Sequence, residues 1–124
     1  MSKTVVISGG SDGLGRTIAA RLAPNYKVII LSPSEEKLRQ VANDLGCEYK
    51  VCDVRDYTQV EKVVNEIGVI DCLVNNAGLW IEAPLIENEP SRIDEVVAVN
   101  VLGVINLSKA VIPSMQQQKS GLII

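Results

Sequence analysis

The chain has 124 residues, which is enough for one domain with a hydrophobic core and too few for two. Its net charge of −3 and its lack of a basic cluster argue against nucleic-acid binding through phosphate neutralisation. No apolar run approaches the length needed to span a bilayer, and Met1-Ser2-Lys3 leads directly into a predicted strand without a secretory signal. We therefore expect a cytoplasmic protein that binds neither nucleic acid nor membrane.

The predicted core is aliphatic. Hydrophobic residues make up 47% of the chain, yet there is no Phe and only one Trp and three Tyr. Val, Ile, Leu and Ala must therefore fill the core, as in a parallel sheet buried on both faces. Cys47, Cys52 and Cys72 form no CxxC pair and the chain has no His, so we expect reduced thiols and no metal site.

Strand-like apolar runs alternate with helical patterns along the whole chain, which is typical of βαβ units. The predicted strands cover residues 4–7, 27–31, 48–52, 71–74 and 121–124. The predicted helices cover residues 14–22, 34–45, 56–68 and a long stretch from 88 or 91 to 111 or beyond. Right-handed crossovers then place helices on both faces of an α/β, doubly wound parallel sheet of about five strands in the order 3-2-1-4-5.

Capping residues mark the ends of two predicted helices. Ser34 and Asp56 are predicted N-caps, and Gln59, three residues after Asp56, completes a capping box. Gly46 and Gly68 are predicted to end the same helices.

A glycine turn, Ser8-Gly9-Gly10-Ser11-Asp12-Gly13-Leu14-Gly15, joins the first strand to the first helix. Glycines allow the backbone to approach a phosphate, and the N–H groups of the following helix then face the anion. Residues 10–17 also read G-x4-G-R-T, one residue from a P-loop, but Arg16 stands where the P-loop needs Lys. A purely structural turn, in which a helix packs close to its strand, is the other alternative.

Four motifs together resemble the short-chain dehydrogenases/reductases over essentially the whole chain. Ser8-Gly9-x3-Gly13-Leu14-Gly15 is similar to the family's TGxxxGxG coenzyme motif, with Ser for Thr. Asp53-Val54 follows the third strand, Asn75-Asn76-Ala77-Gly78 matches the NNAG motif, and residues 99–103 match the helix segment that carries a catalytic asparagine.

The resemblance implies a Rossmann-like, three-layer α/β/α fold, with residues 1–124 as a single, incomplete dinucleotide-binding domain. It implies a coenzyme site formed by Gly9, Ser11, Asp12, Gly13, Leu14, Gly15, Ser32, Asp53, Val54, Asn76, Ala77 and Gly78. The turn glycines would line the pyrophosphate path, and Asp53 would accept a hydrogen bond from the adenine amino group. Asp53 could also simply cap the turn before the third helix. Asn100 would hold a water in a proton relay through its helix backbone.

The implied coenzyme is NAD or NADP. NAD-preferring members of the family carry Asp at the end of the second strand, where this chain has Ser32. NADP-preferring members often carry Arg one residue later or a basic residue just before the second glycine, where this chain has Pro33 and Asp12. Because Asp12 would repel a 2′-phosphate, the sequence favours NAD.

The family's reaction also needs a Ser and a YxxxK motif, which this chain does not contain. The residues four positions after Tyr26, Tyr49 and Tyr57 are Ile30, Asp53 and Glu61. We therefore interpret the chain as the coenzyme-binding portion of an NAD(P)-dependent oxidoreductase for alcohol or carbonyl substrates, truncated before these motifs. The alternative is a standalone adenine-nucleotide-binding module without catalysis.

The missing elements would leave an apolar surface uncovered. The expected uncovered residues lie on the long helix (91–112) and the terminal strand: Val96, Val97, Val101, Leu102, Ile105, Leu107, Ile123 and Ile124. Such a patch favours self-association, so we expect a homo-oligomer.

Overall fold

The computed structural model describes residues 2–124 and contains one parallel sheet. The strands are β1 (Thr4–Ser8), β2 (Lys27–Ser32), β3 (Glu48–Val51), β4 (Cys72–Val74) and β5 (Leu122–Ile123). They lie in the order β3-β2-β1-β4-β5, and every neighbouring pair is parallel. The predicted strand order is confirmed.

Helices follow the first four strands, as expected for right-handed crossover connections. They are α1 (Gly13–Leu22), α2 (Glu35–Leu45), α3 (Tyr57–Ile67), α4 (Pro90–Val97) and α5 (Gly103–Gln118). A short 3₁₀ turn, Leu85–Glu87, interrupts the loop before α4, and a π-helical segment, Ala98–Leu102, joins α4 to α5. The stretch Pro90–Gln118, which we call the long helix, is thus continuous.

The alternation of side chains along β1 divides the core into two layers. Val6 packs toward α3 and α5, in a cluster that includes Leu73 of β4. Val5 and Ile7 point the other way, into a cluster with residues of α1 and α2. Because both faces are covered, the inner strands are apolar at nearly every position, which explains the aliphatic composition.

All four predicted cap residues lie at helix ends, and two of them, Asp56 and Gly46, have the full capping geometry. The Asp56 carboxylate accepts from the backbone N–H groups of Thr58 and Gln59, at 3.0 and 3.4 Å. Gly46 adopts the left-handed conformation (φ 66°) that ends α2, and Gly68 (φ 82°) ends α3. Ser34 lies at the N-cap of α2, as predicted, although its side chain makes no capping hydrogen bond.

Two expectations about the long helix, its suitability to span a membrane and the exposure of Leu107, were wrong. This helix is long and apolar enough by length and composition to cross a membrane, contrary to the prediction that no such run exists. In this structure it packs on the sheet through Leu107, Val111 and Met115, which are spaced four residues apart and buried. Leu107 is only 1% exposed and therefore does not belong to the uncovered surface, whereas Ile105 is 52% exposed.

Leu107→Ala should lower the free energy of unfolding by about 2–5 kcal/mol, because it removes a buried side chain and leaves a cavity. Ile105→Ala, on the outer face of the same helix, is the matched control and should cost about 0.5 kcal/mol or less in a monomeric sample. Urea denaturation of both variants measures the difference. Equal losses would mean that the two faces of the long helix are assigned incorrectly.

Candidate dinucleotide-binding site

The glycine turn is hydrogen-bonded to the end of β2, the strand beside β1. Gly9 and Gly10 donate their backbone N–H groups to the carbonyl of Leu31 in β2, at 2.8 and 3.3 Å. Gly9 and Gly13 have positive φ values of 67° and 50°, which disfavour residues with a Cβ. The turn conformation therefore requires glycine at two of the motif positions.

The Ser8 hydroxyl connects the turn to the segment after β4. It accepts from the backbone N–H groups of Asn76 and Ala77, at 3.1 and 3.0 Å, and lies 3.5 Å from the Val74 carbonyl, to which it donates. The Asn76 side-chain amide in turn donates to the Gly9 carbonyl at 3.1 Å. Ser8 thus joins the turn to the segment after β4, a role that its place in the motif did not indicate.

Gly15 lies directly against this junction. A Cβ built on Gly15 would overlap the Gly9 carbonyl oxygen and the Asn76 amide nitrogen. A Cβ on Gly13 would meet nothing within 4 Å. The third glycine is therefore needed for close packing of α1 on the turn, whereas the second leaves open space in front of the helix.

The start of α1 faces this open space. The Asp12 carboxylate caps the helix by accepting from the Gly13 N–H at 2.8 Å and is exposed, as is the Leu14 side chain. Arg16, at the position of a P-loop lysine, instead pairs with Asp44 of α2 at 3.5 Å. The positive end of the helix dipole and the open space in front of Gly13 remain the features suited to an anion.

A cavity of about 230 Å³ opens at the carboxyl edge of the sheet, beside the turn. Six of the predicted site residues line it: Gly9, Ser32, Asp53, Val54, Ala77 and Gly78. The buried Ser32 hydroxyl accepts from the Ser34 N–H at 3.3 Å. Ser11, Asp12, Gly13, Leu14, Gly15 and Asn76 do not line this cavity and belong to the turn and its support.

Asp53 is held by Arg55 at the wall of the cavity. The carboxylate accepts from the Arg55 guanidinium at 2.7–3.2 Å and from the Arg55 backbone N–H at 3.0 Å. These hydrogen bonds lower the pKa of the Asp53 carboxyl, with partial burial opposing them. The hydrogen bond from the Arg55 backbone N–H is the turn-capping contact that was the alternative for Asp53. The same carboxylate can still accept a further hydrogen bond.

The long helix fixes the loop that carries Val54. The Asn106 amide donates to the Val54 carbonyl at 2.9 Å. Gly103 packs beneath the Val54 side chain, where an added Cβ would come within 2.6 Å of its methyl carbon. Gln59 of α3 also accepts from the Asp53 N–H at 3.1 Å, in place of the Asp56 N–H expected for a full capping box.

Asn100 anchors the loop after β4 through its side chain. Its oxygen accepts from the Leu79 N–H and its amide donates to the Leu79 carbonyl, both at 2.7 Å. Asn100 lies in the π-helical segment, a distortion that occurs frequently at functional sites. The relay role of its backbone stays a prediction, and Asn100 itself does not line the cavity.

Cys52 lines the cavity but is unsuited to act as a nucleophile. Burial, with the nearby carboxylates of Asp53 and Asp56, raises the pKa of its thiol to about 11. The thiol is therefore protonated at neutral pH, and the reactive form is the thiolate.

These features define a Rossmann-like α/β fold, with the candidate site at the switch point between β1 and β4. The family model for short chain dehydrogenase matches residues 3–124. The chain is 36% identical to the 3-dehydrosphinganine reductase TSC10B of Arabidopsis thaliana over 93% of its length and 37% of the relative's. It is 32% identical to carbonyl reductase family member 4 of Xenopus tropicalis, covering 100% of this chain and 55% of that protein.

Solved structures agree with this likeness. The serine dehydrogenase of Escherichia coli superposes with a TM-score of 0.89 at 28% identity, covering 97% of this chain and 59% of that one. ElxO with NADP bound gives a TM-score of 0.89 at 30% identity, covering 99% and 54%. The chain belongs to the short-chain dehydrogenase family and spans roughly 37–59% of the length of these relatives.

Gly15→Ala should lower the free energy of unfolding by about 3 kcal/mol, because its methyl group meets a backbone carbonyl and an anchored amide. Gly13→Ala is the matched control and should cost about 1–2 kcal/mol, from its positive φ alone. Chemical denaturation measures both. A smaller cost at position 15 than at position 13 would contradict the proposed close packing.

Proposed function

We propose that residues 1–124 form the coenzyme-binding portion of an NAD(P)-dependent oxidoreductase that acts on an alcohol or carbonyl substrate. The observation that supports this most directly is the continuity between the glycine turn and the cavity lined by Asp53. The turn offers N–H groups and open space for a pyrophosphate, and the cavity offers apolar walls with a carboxylate for an adenine ring.

Each group on this path has a distinct task in the proposal. The first turn of α1 would hold the pyrophosphate, Asp53 would accept from the adenine amino group, and Ser32 would face the adenosine ribose. Ala77 and Gly78 would carry the ribose on the nicotinamide side. When bound, the nicotinamide ring supplies hydride transfer to or from a substrate carbon.

Asn100 has a positioning task in this scheme. Its two hydrogen bonds to Leu79 hold the loop next to Ala77 and Gly78, and its helix backbone would hold the water of a proton relay. General acid–base catalysis needs a group in hydrogen-bond reach of the reacting oxygen, and no tyrosine of this chain is followed by lysine in a YxxxK motif. The complete reaction therefore requires residues that this chain does not carry.

The choice between NAD and NADP depends on charge at the adenosine ribose. Several solved neighbours contain NADP, including a serine dehydrogenase complex and an alcohol dehydrogenase of Thermococcus sibiricus bound to 5-hydroxy-NADP. These neighbours support a nicotinamide dinucleotide as the coenzyme and do not favour NAD over NADP. The proposed preference for NAD rests on the exposed Asp12 carboxylate alone, at the N-terminus of α1.

Calorimetric titration with NAD and with NADP tests both parts of the proposal. We expect binding of at least one coenzyme, and we expect Asp12→Arg to shift the ratio of dissociation constants toward NADP by about tenfold or more. Glu61→Arg, the same charge change at an exposed position of α3, is the control and should leave the ratio unchanged. Binding of neither coenzyme would overturn the function, while an unchanged ratio in Asp12→Arg would remove only the preference for NAD.

The alternative function, an adenine-nucleotide-binding module without catalysis, predicts a different titration. ADP-ribose shares the adenosine and pyrophosphate but lacks the nicotinamide. If ADP-ribose binds as tightly as the intact coenzyme, the nicotinamide ring contributes nothing and the module is favoured. Weaker binding of ADP-ribose favours the oxidoreductase portion.

We also propose that the chain self-associates through the outer face of the long helix and β5. Val97, Val101, Leu102 and Ile105 are about half exposed, and Ile124 is more exposed still. An uncovered apolar stripe of this kind favours association.

Sedimentation at micromolar concentration should show dimers or larger species, and Val101→Glu should shift the chain toward monomer because a charge would be buried in the contact. Val69→Glu is the matched control, since Val69 is exposed and lies outside the long helix. A monodisperse wild-type monomer would contradict the proposed association.

A further inference from the structure

The carboxylate of Asp53 has most of its acceptor positions occupied by one neighbour. A carboxylate offers about four lone-pair positions for hydrogen bonds. The Arg55 N–H and Nε contact Oδ1 at 3.0 Å each, and Nη2 contacts Oδ2 at 2.7 Å, with Nε also 3.2 Å from Oδ2. Three donors of a single residue thus leave about one acceptor direction on Oδ2.

Among the residues that line the cavity, Asp53 is the carboxylate that pairs with Arg55. Arg55 is the one cationic side chain among the described residues that line the cavity, and Glu95 of α4 is the other acidic one besides Asp53. Glu95 is itself paired with Arg92 at 2.9 Å. The side chain of Arg55 is 43% exposed and that of Asp53 25% exposed, so the pair forms the wall between the cavity and solvent.

We propose that Arg55 is a positioning residue for base recognition: its fork and its backbone N–H hold the Asp53 carboxylate so that a single acceptor faces the cavity. This inference rests on the proposed function and deepens it. One acceptor matches one donor, the exocyclic amino group of adenine. Hypoxanthine carries a carbonyl oxygen at the same place, which would face the carboxylate oxygen without a shared proton.

Arg55 lines the cavity, and its guanidinium is engaged by the Asp53 carboxylate, so in this proposal its effect on base recognition passes through Asp53. Without the Arg55 guanidinium, the carboxylate keeps only the backbone N–H of residue 55 and can rotate about that contact, and a rotating carboxylate discriminates less between an amino group and a carbonyl. A guanidinium fork fixes a carboxylate in one plane, whereas an ammonium acts as a point charge. Arg55→Leu therefore removes both charge and orientation, and Arg55→Lys removes mainly orientation.

Titration of each protein with the coenzyme that binds and with its hypoxanthine analogue measures the discrimination. Wild type should prefer the adenine form by roughly 10-fold or more, since the analogue leaves a partly buried acceptor unpaired. Arg55→Leu should reduce that preference to about threefold or less, Arg55→Lys should fall between the two, and Asp53→Asn should abolish it because an amide can present either oxygen or nitrogen. Arg39→Leu, which breaks an exposed Arg–Glu pair on α2, is the control and should keep the wild-type preference.

The pH profile supplies a readout that a merely structural role would not move. Arg55 lowers the pKa of Asp53, so the ionised acceptor of wild type persists to lower pH. Replacing Arg55 by Leu should move the acidic loss of binding to higher pH, and Arg55→Lys should restore it in part. Asp56 and Glu95 are the other carboxylates near the pair, and both side chains are retained in the two variants.

The outcomes separate the two proposals. No binding of either coenzyme to folded wild type overturns the proposed function. Binding with unchanged base preference and an unchanged acidic limb in Arg55→Leu overturns the role of Arg55 and leaves the function standing. An equal loss of affinity for adenine and hypoxanthine forms, with thermal unfolding as in wild type, also overturns it, because Arg55 would then contribute binding without selectivity.

Discussion

The close approach of three groups at the end of β1 determines the geometry of the whole site. The Ser8 hydroxyl accepts from the Asn76 backbone N–H, the Asn76 side-chain amide donates to the Gly9 carbonyl, and α1 packs on these groups at Gly15. Parallel strands that diverge at a switch point leave a crevice there, and these contacts set its width. A side chain on Gly15 would push α1 away and would change both the helix terminus and the turn.

The second constraint comes from the long helix, which reaches the site from the opposite side of the sheet. Asn106 holds the backbone of Val54 and Asn100 holds the backbone of Leu79. These two loops follow β3 and β4 and flank the cavity. The helix that buries Leu107 in the core thus also orients the two loops, so a change in its packing would be transmitted to the site.

The fold was predictable from the sequence because each cue was local or periodic. Alternating apolar strands and helical patterns gave the βαβ order, and the predicted strand ends differ from the observed ones by at most one residue. Gly46 and Asp56 marked helix ends because left-handed backbone and side-chain capping depend on single residues. The aliphatic composition likewise required a sheet covered on both faces.

The contacts that organise the site were less accessible, because they join residues far apart in the chain. Ser8 with Asn76 and Asn106 with Val54 are separated by dozens of positions, and no local pattern pairs them. Asparagine is a poor helix former, which makes Asn100 unusual in an apolar helix, but no sequence pattern pairs its amide with Leu79. Leu107 was misplaced for a related reason: on a helix apolar almost all round, periodicity does not identify which stripe faces the sheet.

The contact between Asp53 and Arg55 was also not predictable from the sequence, although the two residues are only two positions apart. An acidic residue followed two positions later by Arg is unremarkable in sequence, because either side chain could extend into solvent. In the folded chain, Gln59 and Asn106 immobilise the backbone on either side of Asp53, so the guanidinium and the carboxylate meet at a fixed spacing. When the backbone is already fixed, less conformational entropy is lost on ordering the two side chains. The charge-assisted pair can then hold one orientation. An exposed ion pair is ordinarily worth little to stability, and the rigidity of the loop after β3 is what would give this partly exposed pair the role in recognition that we propose.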